Sequence, residues 1–478
     1  MNHPETYRGK QVVILGVAKS GYEAAKLFHK HGAIVTINDK KERDQCPEAS
    51  ALEALGISVV LGGHPDDLIH SGVALLVKNP GIPYSAKPVQ QALEQGVEVV
   101  TEIEVGYHLC PAPIIGITGS NGKTTTTTWV GKLLEAAELR PIVAGNIGTP
   151  FSAIAEDISS DQQVVLELSS FQLKGTTAFH PHVACLLNIA ETHLDYHGGM
   201  EDYIASKKKL FANMTSDDIA VLNADDEVSS SIAATTSAQV YLFSSQKEVE
   251  VGVYVSPPFV NAEDSDEEQH VKRQIIFRDE QGTVHEIVSV DEISLPGRYN
   301  VNNALAASAI ALAVGAAPNQ LAEPLRSFKG VEHRLELVRE REGVQYYNNS
   351  KATNTVATET ALGAFSDHII LIAGGLDRGL EFKELLPYLK ERVKAVVTMG
   401  QTRYILRDLA LEAGLKQVSV VENVDDAAKC IQEAVLRAES YAEAGDVVLL
   451  SPACASWDMF PSYEIRGSMF KEAVHSLK

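Results

Sequence analysis

A chain of 478 residues, 45% apolar and 22% charged, has the composition of a globular protein of two to four domains. Its net charge of −22 excludes a general polyanion-binding surface, so nucleic acid and anionic membranes are not expected partners. An anionic substrate must therefore meet a local cationic pocket.

Five scattered cysteines (Cys46, Cys110, Cys185, Cys430, Cys454) show no CxxC spacing and read as reduced thiols of a cytosolic protein, not as a zinc site. The first residues carry no apolar h-region, and the longest apolar run, 304–317, is too short to span a bilayer. A cytoplasmic location without membrane insertion is expected.

Residues 11–107 predict a small α/β unit. Strand 11–15 runs into Gly16-Val-Ala-Lys-Ser-Gly21, a turn leading to a helix through Ala24, Ala25, Leu27 and Phe28. Strand 33–38 ends at Asp39. Ala18 stands where the middle glycine of a dinucleotide fingerprint belongs, so a nucleotide turn and a ligand-free βαβ crossover both account for the pattern. Asn79-Pro-Gly-Ile-Pro83 closes a later strand. It is either a plain loop or backbone exposed at the strand ends, where open parallel sheets bind ligands.

The next unit follows a stiff linker, Pro111-Ala-Pro113. The β-branched run 114–118 predicts a buried strand, and Gly119-Ser-Asn-Gly122 a glycine turn. Lys123 and five threonines open a helix with Trp129, Val130, Leu133 and Leu134 at helical spacing. Together they make a phosphate cradle. N–H groups at a helix N-terminus face an anion, the lysine reaches the β- and γ-phosphates, and a hydroxyl holds Mg²⁺. Ile117 stands where the strict pattern wants glycine, so the motif is a P-loop variant.

Glu167 lies inside the apolar strand Val-Val-Leu-Glu-Leu, and a charge there needs a partner. A divalent cation beside the phosphate loop and a structural ion pair both satisfy it. Strand 183–189 runs towards His193, which reads either as a ligand or as a hydrogen-bonded loop residue. Ser206-Lys-Lys-Lys-Leu210 reads, from its residues alone, as a solvated helix face. Short β runs over 240–290 surround an acidic insert, 263–268, taken as a hairpin tip.

Over 331–478, strands 345–347, 368–373, 395–399, 418–421 and 446–450 alternate with helical patterns, predicting a mostly parallel sheet. Lys351 follows the first strand, Asp377 and Arg378 follow Gly374-Gly375, and Ser451-Pro-Ala-Cys-Ala-Ser456 follows the last. Each reads as an anion contact at a strand's carboxyl end or as turn chemistry.

Taken together, these segments resemble the Mur ligase family from Gly16 to Phe470. Thr118-Gly-Ser-Asn-Gly-Lys-Thr-Thr125 carries the resemblance, and its offset glycine is normal there. Gly145-Asn-Ile-Gly148, Glu167-Leu-Ser-Ser-Phe-Gln172, His193-Leu-Asp195 and Asn348-Asn-Ser-Lys-Ala-Thr-Asn354 narrow it. Ser451-Pro-Ala-Cys-Ala-Ser-Trp-Asp-Met-Phe460, followed by Arg466-Gly467, resembles the D-glutamate-adding branch, and the Asp-Asn-Pro-Arg motif of the diamino-acid-adding branch is absent.

The resemblance implies an α/β fold of three domains. Residues 1–108 would form a Rossmann-like UDP-substrate domain, 109–330 a central P-loop-type ATPase domain, and 331–478 a Rossmann-like amino-acid domain. It implies a ligase dependent on ATP and Mg²⁺ that joins D-glutamate to UDP-N-acetylmuramoyl-L-alanine through an acyl phosphate, in peptidoglycan precursor synthesis. These small molecules are the implied partners, and a monomer is expected.

By the same resemblance, Gly119, Ser120, Asn121, Gly122, Lys123, Thr124, Thr125, Asn300, Asn303, Arg334 and Asn349 surround ATP. Thr124, Glu167, His193 and a carbamylated Lys207 would hold metal, with Lys123, Glu167, His193 and Lys207 as the catalytic set. Lys208 and Lys209 stay surface residues. Lys19, Ser20, Asp39, Lys40, Gly81 and Asn146 would line the UDP-substrate site, and Lys351, Thr353, Arg378, Ser456, Trp457 and Tyr463 the D-glutamate site. Three positions depart from the family's habit: Asn349 replaces a common Asp, Arg378 a frequent Lys, and Thr192 an acid found in some members. A folylpolyglutamate synthase is the nearest rival, and the separate unit ahead of the phosphate loop argues against it. A nucleotide-binding regulator is a rival of another class. A nicotinamide dehydrogenase leaves the second phosphate loop unexplained.

Overall fold

The computed structural model describes residues 1–259, 271–423 and 425–477. They form two compact units: Met1–Ile293 with Asn302–Arg326, and residues 294–301 with the chain from Ser327 onward.

The first unit contains two sheets. β1 (Gln11–Leu15), α1 (Lys19–Lys30), β2 (Ile34–Asn38), β3 (Ser58–Val60), β4 (Val73–Lys78) and β5 (Val99–Val100) build a parallel sheet ordered β3-β2-β1-β4-β5. Strand order reverses between β1 and β4, so their carboxyl ends open the crevice where such sheets take ligands. The Gly16 turn follows β1 and the Asn79–Pro83 loop follows β4, so both sit at that crevice.

α2 (Glu102–Tyr107) leads to the second sheet. Its elements are β6 (Ile114–Thr118), α3 (Lys123–Ala136), β7 (Pro141–Gly145), β8 (Gln163–Glu167), α4 (Ser170–Lys174), β9 (Val183–Leu186), α5 (Leu194–His197), α6 (Met200–Lys208), β10 (Ile219–Asn223), β11 (Gln239–Ser244), β12 (Gly252–Ser256), β13 (Gln274–Arg278) and β14 (Val284–Ser289). The order β14-β13-β12-β11-β10-β9-β6-β8-β7 places β6 between β8 and β9. Strands β7 to β12 run parallel, and β13 and β14 add antiparallel. All of β6 is buried, and Trp129, Val130, Leu133 and Leu134 of α3 are fully buried, as their spacing predicts. The acidic insert 263–268 lies outside the described residues.

Past the Ala-rich helix α7 (Arg298–Ala313), the second unit is a single sheet. β15 (Glu336–Arg341), β16 (Val344–Asn348), β17 (Ile369–Ala373), β18 (Val393–Thr398), β19 (Gln417–Val420) and β20 (Val447–Leu450) are ordered β15-β16-β20-β17-β18-β19, parallel except for β15, and α8 (Tyr463–His475) follows. Successive side chains of a strand face opposite ways. Ile369, Leu371 and Ala373 accordingly join one core, and Ile370 and Ile372 the other.

One sequence expectation shifts here. The strand expected over 183–189 stops at Leu186, because the next residues turn to hold the phosphate loop. Strands β3, β7 and β15 carry weak patterns. β7 opens on Pro141 at the sheet's edge, where a missing N–H is tolerated.

Candidate active site

The turn between β6 and α3 is held on several sides. Gly122 has φ +82°, and a methyl there would stand 2.2 Å from Asn303 Oδ1, so only glycine fits. Asn303 Oδ1 also accepts from Thr126 Oγ1 at 3.3 Å. Asn121 and Asn188 exchange two bonds. Asn121 N donates to Asn188 Oδ1 at 2.9 Å, and Asn188 Nδ2 donates to Asn121 O at 3.1 Å. Ser120 N donates to Asn188 O at 2.9 Å, and Ser120 Oγ meets Tyr203 OH at 2.8 Å. Lys123 Nζ folds over the turn onto Gly119 O and Ser120 O, both at 2.8 Å. α3 opens at Lys123, and the first N–H groups of a helix are the ones its own carbonyls do not take up, which is where an anion docks.

Around this turn the sheet gathers the other predicted groups. Glu167 ends β8, in register with Ile117 of β6, and is 2% exposed. Among the described residues its hydrogen-bond partner is an amide: Asn146 Nδ2 donates to Oε1 at 2.7 Å. Oε2 is buried without a hydrogen-bond partner among the described residues. Asn146 is itself fixed, its N–H donating to Glu167 O at 2.8 Å.

Lys207 corrects the expectation of a solvated lysine face. It is 2% exposed, and Nζ donates to Gly119 O at 2.8 Å and Thr118 Oγ1 at 3.3 Å. Burial, and then the Lys123 charge, lower its ammonium to about 6. Only Lys208 of the three is exposed. Lys209 is half-buried, with Nζ donating to Lys174 O and Thr176 O. His193 has φ +57° and caps α5. Burial, then Lys123 and Lys207, hold its imidazole below the ordinary range, so all three basic groups feel one another.

His197, Asp202 and Ser170 were not singled out from sequence. His197 Nδ1 meets Asp202 Oδ2 at 2.6 Å, and Nε2 meets Ser170 Oγ at 3.0 Å. This buried imidazole joins α5, α6 and α4, which carry or border His193, Lys207 and Glu167.

At the first sheet's crevice, Asp39 Oδ2 accepts from Val17 N at 2.9 Å and Oδ1 from Lys41 N at 3.0 Å. Ser20 Oγ accepts from Asn79 Nδ2 at 3.1 Å, clipping the glycine turn to the Asn79–Pro83 loop. Gly81 N donates to Asn79 Oδ1 at 3.1 Å, Lys40 is exposed, and Lys19 Nζ donates to Gly148 O at 2.7 Å. The structure thus brings Lys19, Ser20, Asp39 and Gly81 to one edge.

The remaining predicted residues belong to the second unit. Asn300 Nδ2 donates to Pro296 O at 2.7 Å, and Arg334 follows the left-handed His333. Asn349 is 5% exposed. Its Oδ1 accepts from Leu335 N at 3.2 Å and its Nδ2 donates to Ser451 Oγ at 3.1 Å, a pairing that uses both ends of the amide. Thr353 is half-buried beyond β16. Arg378 lies over the Trp457 ring at 5.4 Å and Lys351 over the Tyr463 ring at 5.7 Å, while Ser456 is buried and Trp457 is 67% exposed. Behind them Arg466 is fully buried, donating to Ser350 Oγ, Ser350 O and Cys454 O. Gly467 is required beside it, since a methyl would stand 2.1 Å from His333 Nδ1.

Three family profiles match in succession: a MurD-like N-terminal domain of Mur ligases over residues 10–101, the Mur ligase middle domain over 117–311, and the Mur ligase glutamate ligase domain over 333–454. The UDP-N-acetylmuramoylalanine–D-glutamate ligase of Geobacillus sp. is 46% identical over 479 residues, covering 100% of both chains. Its namesake from Bacillus mycoides is 45% identical over 98% of each. Among solved structures, MurC of Thermotoga maritima aligns with a TM-score of 0.57 at 18% identity, covering 98% of this chain and 100% of that one. MurF of Acinetobacter baumannii aligns at 0.58 and 18%, covering 96% and 93%. The solved structures share the fold, and the full-length identity to curated relatives settles kinship: the chain belongs to the Mur ligase family.

Proposed function

We propose that the chain is an ATP-dependent ligase that adds D-glutamate to UDP-N-acetylmuramoyl-L-alanine in peptidoglycan precursor synthesis. The observation that carries this reading is the end-to-end 46% identity to a ligase of that name. The gathering of Lys123, Glu167, Lys207 and His193 around one glycine turn supports it.

A carboxylate repels nucleophiles and is a poor acyl donor. Transfer of the γ-phosphoryl group of ATP to the L-alanine carboxylate gives an acyl phosphate. The D-glutamate amine then attacks the carbonyl carbon, its nitrogen gives up a proton, and phosphate leaves with the C–O bonding pair. Such chemistry asks the protein mainly for positioning and for compensation of negative charge. In this reading the N-terminus of α3 and Lys123 face the triphosphate, and Asn146, fixed by Glu167, faces the muramyl-linked carboxylate. Ser120, Asn121, Thr125, Asn300, Asn303, Arg334 and Asn349 complete the nucleotide's surroundings. Lys19, Ser20, Asp39, Lys40 and Gly81 take the UDP moiety. Lys351, Thr353, Arg378, Ser456, Trp457 and Tyr463 take the D-glutamate carboxylates, Arg378 by its two-pronged fork. The domains are assigned to residues 1–108, 109–330 and 331–478, and the enzyme to the cytoplasm as a monomer.

The donor set suits Mg²⁺. The unpartnered Oε2 of Glu167 and the Thr124 hydroxyl are oxygen ligands, and Mg²⁺ is commonly held by one or two carboxylates plus substrate phosphates. No cluster of three or more His, Cys, Asp or Glu side chains occurs among the described residues. His193 is assigned as a further ligand on the family resemblance. When bound, the ion would offset charge on the phosphates. A buried Lys207 kept neutral is also suited to carbamylation: its amine lone pair bonds to CO₂, a proton is lost, and the resulting carbamate supplies an anionic ligand.

The test is an amide-forming assay with UDP-N-acetylmuramoyl-L-alanine, ATP and, in turn, D-glutamate, L-glutamate, L-alanine or diaminopimelate. ADP and dipeptidyl product are expected with D-glutamate alone. Product with another amino acid in its place overturns the assignment.

A further inference from the structure

Lys78, the last residue of β4, is a lysine 1% exposed at the end of an apolar strand. Burial, and then the Lys174 charge, lower its ammonium to about 7. A buried ammonium is retained at a cost in stability unless its bonds do something else. These bonds are directed at one loop. Nζ donates to Ile82 O at 2.8 Å, to Pro80 O at 3.2 Å and, more weakly, to Asn79 O at 3.4 Å. It also meets Tyr196 OH at 3.2 Å and lies over the rings of Tyr84, at 4.9 Å, and Tyr196, at 5.8 Å. The Tyr196 hydroxyl lies 3.0 Å from Pro80 O and 3.2 Å from Ile82 O, so one hydroxyl and one ammonium share the same two carbonyls.

From Tyr196 the contact continues towards the phosphate loop. Its ring meets Phe171 edge-on at 4.4 Å, and Phe171 meets His193 edge-on at 5.0 Å and stacks on His197 at 5.5 Å. On its other side the loop is clipped by Asn79 to Ser20.

We propose that Lys78 is a positioning residue for the nucleotide-sugar site. It fixes the Asn79–Pro83 loop from beneath and, through Tyr196 and Phe171, sets that loop at a constant distance from His193. The proposal rests on the reading that this loop faces the UDP-linked substrate. Lys78 touches no reacting atom; it gathers carbonyls so that the loop's outer surface and the Ser20 clip keep one shape.

Lys78→Met keeps length and apolar packing while removing the donors, and Tyr196→Phe removes one hydroxyl. The readouts are KM for each substrate, kcat, thermal stability, and amide exchange of Gly81 and Ile82 in the free protein. In Lys78→Met, KM for the nucleotide sugar is expected to rise about tenfold with kcat and the KM for ATP within about twofold, the signature of lost uniform binding. Thermal stability holds or improves, because an apolar replacement removes a desolvated charge. Exchange at Gly81 and Ile82 accelerates. Lys78→Met/Tyr196→Phe should be no worse than about twofold beyond the poorer single variant, since both act through one contact. Unchanged nucleotide-sugar KM with unchanged exchange overturns the proposal. So does a parallel rise in the KM for all three substrates, which marks a merely structural lysine. The exchange measurement needs no substrate. A wild-type chain that forms no amide from UDP-N-acetylmuramoyl-L-alanine, yet shows accelerated exchange in Lys78→Met, therefore counts against the function and not against the strut.

Discussion

Replacing Glu104 by Gln isolates the electrostatic hold of the segment that enters the phosphate-loop sheet. Glu104 of α2 is fully buried. Its Oε2 accepts from Thr177 N at 3.0 Å and Phe179 N at 3.1 Å, and its Oε1 from Ala178 N at 2.8 Å and Thr177 Oγ1 at 2.9 Å. Burial alone would raise the carboxyl, but His108 beside it and the Thr177 and Ala178 donors bring it down to about 2 from an ordinary 4.5. Lowering the carboxyl that far, at about 1.4 kcal/mol per pH unit, is worth about 3.5 kcal/mol. Because the folded value lies below the unfolded one, this stability is fully present above pH 4.5 and is lost as pH falls towards 2. About 1.4 kcal/mol should be gone by pH 3.5. The assay is urea unfolding followed by tryptophan fluorescence in a Trp457→Phe background, where buried Trp129 reports on the first unit. Glu104→Gln should be about 3.5 kcal/mol less stable at pH 7, and the gap should narrow on acidification. A gap constant from pH 7 to 3.5, or one under about 1 kcal/mol at pH 7, would refute the charge argument and leave only side-chain shape.

Four further outcomes are expected. Lys123→Ala should lower kcat/KM for product formation by about 10²–10³, as for loss of one preorganised donor, and near-normal turnover would contradict its phosphate role. Glu167→Gln should raise the Mg²⁺ needed for half-maximal rate by about tenfold or more, read from a Mg²⁺ titration at saturating ATP. Protein exposed to ¹³C-bicarbonate should show a carbamate carbon resonance that Lys207→Ala lacks, and stripping CO₂ should slow turnover until bicarbonate returns. The ammonium of Lys78 titrates near 7 when folded, against about 10.4 in an unfolded chain, so the unfolded state holds more protons between these values. Its contribution therefore makes stability rise with pH, by up to about 1.4 kcal/mol per unit, and Lys78→Met should flatten that slope in unfolding titrations.

Much of the fold was legible because apolar strands followed by glycine turns are local signals. β1 and β6 fall where their β-branched runs place them. The weak cases were strands whose identity comes from neighbours: β15 is Glu-Leu-Val-Arg-Glu-Arg, and only pairing with β16 makes it a strand. Within the site, Glu167 was found by asking what a charge does in a buried strand. The same question put to Val73-Ala-Leu-Leu-Val-Lys78 would have found Lys78, and the apolar run was signal enough. Lys207 gives the opposite lesson. Three consecutive lysines at a helix end look solvated, and burial of the first depends on β6, far away in sequence, so only the family resemblance pointed to it. His197 needed three separated partners to acquire meaning, and no spacing announces that.

The reciprocal Asn121–Asn188 bonds have a thermodynamic consequence for the nucleotide. A cradle whose curvature is already imposed by the neighbouring strand end loses little conformational freedom when a triphosphate arrives, so little association energy goes into ordering it. Nucleotide capture should then resemble docking onto a rigid mould. Cutting the Asn188 side chain back to Ala would make binding entropically costlier while leaving every group that meets the phosphates in place.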